Sequence, residues 1–379
     1  MNNVCSISSN CCSTVLNKGH GVGPIRYVQS KSMLIIDGII YSLQRQGGIT
    51  VYFNELLQRL SADDTAKCVI AYEGSSANFS RLRITPELRK KRIMERYRRC
   101  IVPASTKLFH SSYYRLPTGS IPVVTTVHDF IYERFAGGPK KWLHSQQKFA
   151  AIRASEVIIC ISESTRHDLL YFLPEIKPER VHVVHNGVGT AFYPLEPLAS
   201  DSVWATSRPY VLFVGARAGY KNFAPLVSAM TNLREYDLIC IGGGRLTEQE
   251  SAFVVTHLGN RFAHHMNVPD EKLNQFYNGA FCFAYPTAYE GFGIPVLEAM
   301  RAGCPVVSVA SSSIPEVAGD AAQLVASPTP DLLRQAIERL EQPTVRANYI
   351  RQGLQNARNF SWDKTYTETR KIYSSILSG

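Results

Sequence analysis

The feature that most constrains this chain is an alternation, from Met33 onward, of short apolar runs with amphipathic segments. The apolar runs have the length of strands, as in MLIID and CVIAY, whereas the segments between them carry apolar residues at helical spacing, as at Ile49, Phe53 and Leu57. This alternation is typical of βαβ units, in which helices cover a mostly parallel sheet. We therefore predict an α/β fold.

A proline-containing stretch divides the alternation into two series. It contains Pro194, Pro197 and Pro209. A second series of strand-like runs begins just after it with YVLFVG, and a chain of 379 residues is long enough for two domains. We predict two Rossmann-like domains, at residues 33–194 and 209–360, joined by a linker at 195–208 and facing a ligand cleft between them.

The two ends of the chain lie outside these domains. Residues 1–32 are small and polar, without periodicity, and are predicted to form a disordered extension. Ser361 is suited to cap a helix, and apolar residues follow it at Trp362 and Tyr373. Residues 361–379 are therefore predicted to form a closing helix that crosses back to the N-terminal domain.

The formal net charge of +10 belongs to one half of the chain. Residues 1–200 contain 25 Lys and Arg against 15 Asp and Glu, whereas residues 201–379 contain 16 of each. This asymmetry, without any reader motif, argues against a nucleic-acid-binding protein. The densest cluster runs from Arg81 to Arg99, with nine basic and two acidic residues. Two interpretations stay open: a solvated helix face, or a surface for an anionic membrane or a diphosphate-bearing acceptor.

Cysteine usage and hydropathy indicate the compartment. The nine cysteines are an odd number, and several, such as Cys160 and Cys240, stand inside apolar runs, which is typical of reduced core thiols. No apolar run approaches the roughly 18 residues that a membrane helix needs. We predict a cytoplasmic protein that can associate peripherally with the inner membrane face.

The stretch most informative about chemistry is PTAYEGFGIPVLEAM, which begins at residue 286. It leaves a strand-like run and enters a helix, with Glu290 in the loop and Glu298 inside the helix. A loop carboxylate can face the cleft there, while the helical carboxylate can reach the edge of a polyol. Gly291, Phe292 and Gly293 let backbone N–H groups approach an anion at a helix N-terminus.

This stretch resembles the donor-site signature of the retaining glycosyltransferases of family 4, which have the GT-B fold. The resemblance extends from about Met33 to the C-terminus. It implies that Glu290 contacts the transferred sugar, that Glu298 contacts the ribose hydroxyls of the donor, and that the intervening Gly-Phe-Gly binds the donor. It resembles mannosyltransferases of bacterial surface-polysaccharide assembly in particular.

A second site lies in VGARAGYKNF, where a strand passes into a turn and a helix. Arg217 and Lys221 are expected together at the carboxyl end of this strand, where two cations suit a diphosphate. The same residues could be ordinary surface cations of a turn. In the resembled family this pair binds the donor diphosphate and stabilises the leaving nucleotide. The turn at residues 216–220 departs from many relatives and leaves the preference for a base open.

The N-terminal half contributes two further predicted site elements. Gly47 and Gly48 open the first helix and place flexible backbone at the cleft. His128, followed by Asp129, ends the strand-like run PVVTTVHD, and by resemblance it faces the sugar being transferred. A plain turn and a structural histidine are the alternative interpretations.

The resemblance implies hexosyl transfer with retention, and no cofactor or metal, since the cations serve the diphosphate and no Asp-x-Asp motif ends a strand. The expected nucleotide-sugar donor is GDP-mannose, and UDP-sugars are the alternative. The acceptor is a saccharide or a polyprenyl-diphosphate-linked saccharide. A nucleotide-sugar epimerase is a remoter alternative, because it shares the architecture.

Overall fold

The computed structural model of this chain describes residues 34–44, 47–77, 79–80, 82–196, 208–217 and 219–378. The predicted extension at 1–32 lies outside these residues, as does most of the predicted linker. The described chain forms two parallel sheets with helices on their faces, which confirms the α/β prediction.

The N-terminal half contains a seven-stranded sheet with the strand order β3-β2-β1-β4-β5-β6-β7. Neighbouring strands pair in parallel. Its strands are β1 (Leu34–Asp37), β2 (Lys67–Tyr72), β3 (Glu87–Arg89), β4 (Leu108–Ser111), β5 (Val123–Val127), β6 (Val157–Cys160) and β7 (Val181–Val183). Its helices are α1 (Gly48–Ser61), α2 (Ile131–Phe135), α3 (Gly138–Ala154) and α4 (Glu163–Phe172).

The C-terminal half contains a six-stranded sheet with the strand order β10-β9-β8-β11-β12-β13. Its strands are β8 (Tyr210–Val214), β9 (Asp237–Ile241), β10 (Phe262–His265), β11 (Cys282–Tyr285), β12 (Val306–Val309) and β13 (Gln323–Val325). The helices that follow are α5 (Phe223–Asn232), α6 (Glu248–Leu258), α7 (Asp270–Gly279), α8 (Ile294–Arg301), α9 (Ile314–Ala318), α10 (Pro330–Arg339), α11 (Pro343–Ala357) and α12 (Trp362–Leu377).

Helix α12 joins the end of the chain to the N-terminal half. Ser361 caps it by accepting a hydrogen bond from the backbone N–H of Lys364. The Tyr373 hydroxyl lies 2.5 Å from Nδ1 of His110 at the end of β4. Gly187 packs against the start of the helix so closely that a Cβ would lie 2.1 Å from the Trp362 nitrogen. Helix α12 therefore packs on the first sheet.

Two strands of the structure were not predicted, β3 and β10. Both lie at the edge of their sheets and are only partly buried. An edge strand is not covered on both sides and needs no apolar run, so hydropathy did not reveal these strands. Strand β3 lies inside the basic segment 81–99, whose described residues form this strand and a short 3-10 turn at Glu95–Tyr97 rather than a helix.

The helices of the described chain were examined for membrane-spanning length and hydrophobicity. None of them is long and apolar enough to cross a bilayer. The described cysteines are free thiols, and all of them except Cys68 are buried.

Candidate functional site

The predicted polar residues follow the carboxyl ends of strands in both halves. His128 follows β5, Lys221 ends a 3-10 turn after β8, and Glu290 follows β11. Glu298 lies on α8, one turn into the helix that the β11 loop enters. Since the carboxyl ends of parallel strands form one edge of a sheet, these residues line the cleft where α/β proteins hold ligands.

Lys221 and Glu290 form an ion pair at the centre of this site. The Lys221 ammonium donates a hydrogen bond to the Tyr285 hydroxyl at 2.8 Å, and that hydroxyl donates to Oε1 of Glu290 at 2.9 Å. The ammonium also faces the rings of Tyr220 and Tyr285, at 5.4 and 4.8 Å from their centroids. Lys221 is buried, so its charge is enclosed by one carboxylate and two aromatic rings.

Two serines form hydrogen bonds with the backbone of the loop that carries Glu290. The backbone N–H of Glu290 donates to Oγ of Ser312 at 2.8 Å. The Ser313 hydroxyl lies within hydrogen-bond distance of the Glu290 and Phe292 carbonyls, at 3.0 and 2.8 Å. The loop therefore has a fixed conformation, and Gly293 ends it as the N-cap of α8 with φ 103°.

The same loop touches the N-terminal half at Gly291. Its carbonyl accepts hydrogen bonds from the hydroxyls of Ser162, at 2.7 Å, and Thr165, at 3.1 Å, in the first turn of α4. A Cβ on Gly291 would lie 1.8 Å from the His128 carbonyl oxygen. Only glycine allows this approach, which brings the Glu290 loop next to His128.

Tyr289 makes a second connection between the halves. Its hydroxyl donates to Oδ2 of Asp168 on α4 at 2.6 Å and accepts from the backbone N–H of Phe130 at 3.0 Å. Asp168 is also ion-paired with Arg134. A third connection is Glu316, whose carboxylate accepts from two backbone N–H groups at the start of α4 and from His185. The two halves are joined by polar contacts around the Glu290 loop.

His128 is buried and its Nε2 has no hydrogen-bond partner among the described residues. The ring packs edge-on against Tyr52 at 5.2 Å between centroids. Burial, and to a smaller extent the nearby Lys148 cation, lower the pKa of His128 to about 3, so the imidazole is neutral at physiological pH. A buried imidazole nitrogen without a partner is suited to a ligand hydroxyl.

Glu298 has a different environment from Glu290. Its Oε2 accepts a hydrogen bond from the Tyr277 hydroxyl at 3.1 Å. Burial and the nearby Asp270 raise the pKa of Glu298 to about 8. The pKa of the Tyr277 hydroxyl is also raised, first by burial and then by the Glu298 charge. Glu290 thus has the Lys221 cation beside it, whereas Glu298 forms no ion pair with another described residue.

Arg217 does not share the surroundings of Lys221. Its guanidinium donates to the carbonyls of Gly242, Gly243 and Arg245 at 3.0 to 3.2 Å, and it is ion-paired with Glu250 at 3.1 Å. These partners belong to the glycine turn after β9 and to α6. Arg217 therefore lies at the same sheet edge as Lys221 but binds the neighbouring turn.

Gly47 and Gly48 begin α1, as predicted from their position after β1. A Cβ on Gly48 would meet no atom within 4 Å, so the backbone is open on that side. A cavity of about 840 Å³ lies close to this turn, lined by residues of both halves. Its lining includes Tyr41, Gln44, Ser76 and Asn267.

Sequence reasoning missed the hydroxyl groups that hold this site together. Tyr285 and Tyr289 both precede Glu290 in the chain. Their contacts depend on tertiary structure, which residue spacing does not reveal. Ser162 caps α4, and its hydroxyl also donates to the Gly291 carbonyl. The described residues contain no cluster of His, Cys, Asp and Glu that could hold a metal ion.

Two protein families match consecutive parts of this chain. The family described as Glycosyltransferase Family 4 matches residues 46–192, and the family described as Glycosyl transferases group 1 matches residues 197–356. Together the matches span both sheets.

Individual proteins of known kind are similar over shorter stretches. The O-antigen chain mannosyltransferase B of Escherichia coli is 29% identical over 286 residues, which are 71% of this chain and 74% of that protein. The alpha-maltose-1-phosphate synthase of Mycolicibacterium smegmatis is 32% identical over 220 residues, 53% of this chain and 56% of that protein.

Solved structures share the fold. The sucrose-phosphate synthase of Thermosynechococcus elongatus has a TM-score of 0.72 at 17% identity and covers 92% of this chain and 99% of its own. Anabaena HepE in complex with UDP-glucose has a TM-score of 0.69 at 15% identity and covers 90% and 99%. The two facing sheets, the donor loop and the two family matches lead to one conclusion: the chain belongs to the family 4 glycosyltransferases and has the GT-B fold.

Proposed function

We propose that this protein transfers a hexose, with retention of anomeric configuration, from a nucleotide sugar to a saccharide or a polyprenyl-diphosphate-linked saccharide in polysaccharide or O-antigen biosynthesis. The observation that carries the proposal is the Lys221–Glu290 ion pair, held by Tyr285, in a loop that contacts the backbone of His128. A cation, a carboxylate and an unpartnered imidazole suit a ligand that has a diphosphate and sugar hydroxyls.

In this proposal the donor changes the partners of Lys221. The diphosphate takes the place of Glu290 beside the ammonium, and the released carboxylate accepts hydrogen bonds from hydroxyls of the transferred sugar. His128 binds the same sugar from the other half through Nε2. Because both groups are buried and prepositioned, their effect on the departing charge is larger than it would be in water.

The proposed chemistry is front-face substitution at the anomeric carbon. The bond between this carbon and the diphosphate oxygen breaks, and the acceptor oxygen bonds to the carbon from the same face. The departing phosphate takes the proton of the acceptor hydroxyl. Lys221 stabilises the negative charge that develops on this phosphate, and this electrostatic stabilisation lowers the activation barrier.

Arg217 has an indirect part in this proposal. Its bonds to carbonyls after β9 hold the glycine turn beside the diphosphate position. A direct contact between Arg217 and the donor requires the guanidinium to exchange these carbonyls for phosphate oxygens. Glu298 is assigned to the donor ribose, and Gly47, Gly48 and the Gly291–Gly293 loop provide backbone around the donor.

The first proposed donor is GDP-mannose. Similarity to an O-antigen chain mannosyltransferase supports mannose as the transferred sugar. Similarity in fold to a protein bound to UDP-glucose keeps a UDP-sugar as the alternative. A nucleotide-sugar epimerase remains a remoter alternative, and it would yield an epimerised sugar without any acceptor.

The proposed location is the cytoplasm, at the inner membrane face. Support comes from the basic segment that begins at Arg81 and ends at Arg99, of which Arg81 lies outside the described residues. Several of its described arginines are engaged locally, since Arg92 pairs with Glu95 and Arg99 donates to the Pro117 carbonyl. A surface with this charge is attracted to anionic lipid.

Thermal unfolding with a panel of nucleotides and nucleotide sugars tests the donor. Ligands that bind the native state raise the melting temperature according to concentration and affinity. We expect GDP and GDP-mannose to stabilise the protein and the Glu298→Ala variant not to respond. A response to UDP compounds alone would show that the donor is a UDP-sugar and not GDP-mannose. No response to any compound would contradict the proposal.

The stereochemical claim needs a separate measurement. Glycosyltransferases transfer sugar slowly to water, and proton NMR identifies the anomer that is released first. Retention predicts the anomer of the donor, whereas release of the opposite anomer would contradict the proposed substitution. Appearance of an epimerised sugar in the same spectra would favour the epimerase.

A further inference from the structure

Large apolar side chains stand exposed within the basic segment and just after it. Ile93 is 84% exposed, Met94 61%, Leu88 60% and Ile101 56%. Residues of this size are rarely left in water as a group on a protein that has no partner for them. Leu88 lies on β3, the edge strand of the first sheet, and the other three follow it, so the group lies on the outside of the N-terminal half.

The first turns of α3 add a second group of the same character. Trp142 is 66% exposed and Leu143 is also exposed, next to Lys141. On α2, just before this helix, Tyr132 is exposed as well. Tryptophan and tyrosine beside lysine are typical of protein surfaces that lie at the boundary between water and lipid.

Direct contacts join the two segments that carry these groups. The Gln147 side chain on α3 donates to the Arg96 carbonyl at 2.7 Å. Leu143 stands one turn before Gln147 on the same helix face, at a Cβ separation of about 6 Å. The Arg96 guanidinium covers the ring of Tyr113, whose hydroxyl bonds to His144 of α3 at 3.2 Å. The two groups are therefore neighbours on one surface.

The cations of this surface include two that the protein leaves unused. Lys90 and Lys91 are exposed, and no hydrogen bond or ion pair joins either of them to another described residue. Arg89 and Arg92, by contrast, are paired with glutamates. Apolar side chains flanked by unpaired lysines are complementary to an anionic bilayer, since the lysines meet head groups while the apolar groups enter the interface.

We propose that these residues form a membrane-inserting surface, which binds an anionic lipid bilayer by partition of apolar side chains as well as by charge. The surface is defined as Leu88, Lys90, Lys91, Ile93, Met94, Ile101, Lys141, Trp142 and Leu143. The inference deepens the proposed function, on which its biological meaning rests, because it brings a lipid-linked acceptor to the enzyme.

The surface also lies beside the entrance to the donor site. Helix α2, which precedes α3, contacts the C-terminal half, because Phe135 at its end stacks on Tyr220 with 5.2 Å between ring centroids. Tyr220 is adjacent to Lys221. A bilayer at the membrane-inserting surface is thus one short helix away from the reacting groups.

Cosedimentation with vesicles of phosphatidylcholine, with and without phosphatidylglycerol, tests the proposal. The wild type is expected to bind the anionic vesicles at about 0.1 M salt and to keep part of that binding at about 0.5 M salt, where charge is screened. The double variant Ile93→Ala/Trp142→Ala is expected to lose about tenfold or more in partition at either salt.

A second variant and two controls separate the contribution of charge to vesicle binding from that of the apolar side chains. Lys90→Gln/Lys91→Gln is expected to weaken binding roughly tenfold or more at low salt and little at high salt. The controls Val255→Ala on α6 and Lys177→Gln change residues that are equally exposed but elsewhere, and they should bind as the wild type does.

Three results would overturn the proposal: no preference for anionic vesicles, wild-type binding by Ile93→Ala/Trp142→Ala, or complete release of the wild type by high salt. Failure of the proposed function is recognised separately, since nucleotide-induced stabilisation is measured without lipid. Unchanged melting temperatures of the variants verify that they fold. Capture of a protein partner by this surface without vesicle binding would also contradict the assignment.

Discussion

The two halves of the molecule hold their site residues in different states. In the C-terminal half the charged residues are already engaged, Lys221 with Glu290 and Arg217 with a glycine turn. In the N-terminal half His128 is buried with Nε2 unpartnered. Within the proposed function we interpret this difference as a division of work: the C-terminal half is a prebuilt donor site whose internal bonds exchange for ligand bonds, and the N-terminal half contributes a group that is satisfied only by the sugar.

At Gly291 the two halves meet through backbone, beside the side-chain contacts of Tyr289 and Glu316. Gly291 carries the Glu290 loop onto the His128 carbonyl and the α4 hydroxyls. Any change that separates these contacts should impair transfer while leaving nucleotide binding in place.

Replacing Lys221 by methionine should have the largest effect. It removes the cation that stabilises the departing phosphate, and we expect transfer to fall about 10²–10³-fold. It also leaves Glu290 without a partner, which lowers stability. The double variant Lys221→Met/Glu290→Gln should recover the melting temperature but not the activity. Recovery of activity in the double variant would show that Lys221 acts only through folding.

Replacing Gly291 by alanine should follow. The added Cβ would lie 1.8 Å from the His128 carbonyl oxygen, so the loop must move away from the N-terminal half. A displacement of this size at a reacting group costs about 100-fold in turnover. Gly137→Ala is the matched control, because a Cβ there meets nothing within 4 Å. Equal effects of the two substitutions on donor turnover would argue against the contact.

Replacing His128 by alanine removes one hydrogen bond to the sugar, and we expect turnover to fall about 10- to 100-fold. Because burial lowers the pKa of His128 to about 3, the imidazole does not titrate between pH 5 and pH 8. The pH–rate profiles of wild type and variant should therefore have the same shape over that range. Loss of an inflection near neutral pH in the variant would contradict a neutral histidine.

Replacing Glu298 by glutamine should change turnover least, severalfold at most, since an oxygen remains for the ribose. Its clearest effect is on stability. The pKa of Glu298 is about 8 when folded and 4.5 ordinarily, so the wild type is stabilised at acid pH and loses this stability as pH rises to 8. The melting temperature of the variant relative to wild type should rise between pH 5 and pH 8 and level off above it.

Much of this organisation could be predicted from the sequence. Central strands such as β5 and β11 are covered on both faces and show as apolar runs, whereas the edge strands β3 and β10 carry polar residues and do not. The helix start at Ser361 was readable because a cap is a local signal, and its hydroxyl accepts the expected backbone hydrogen bond.

The site was predictable only in part. Glu290, Glu298 and Lys221 have a recognisable spacing, and they follow strand ends where α/β folds bind ligands. The partners of these residues depend on contacts between distant parts of the chain: Ser162 with Gly291, and Tyr289 with Asp168. Arg217 illustrates the limit, because a cation beside a glycine turn can bind either a phosphate or the carbonyls of that turn, and residue spacing does not distinguish them.

The division of work between the halves is tested most directly by titration calorimetry of a nucleoside diphosphate, GDP or UDP as selected by thermal unfolding, against wild type, Lys221→Met and His128→Ala. The account predicts that Lys221→Met weakens binding at least about tenfold, whereas His128→Ala binds as tightly as wild type although it transfers sugar poorly. Equal weakening by both substitutions, or none by Lys221→Met, would contradict a donor site built by the C-terminal half.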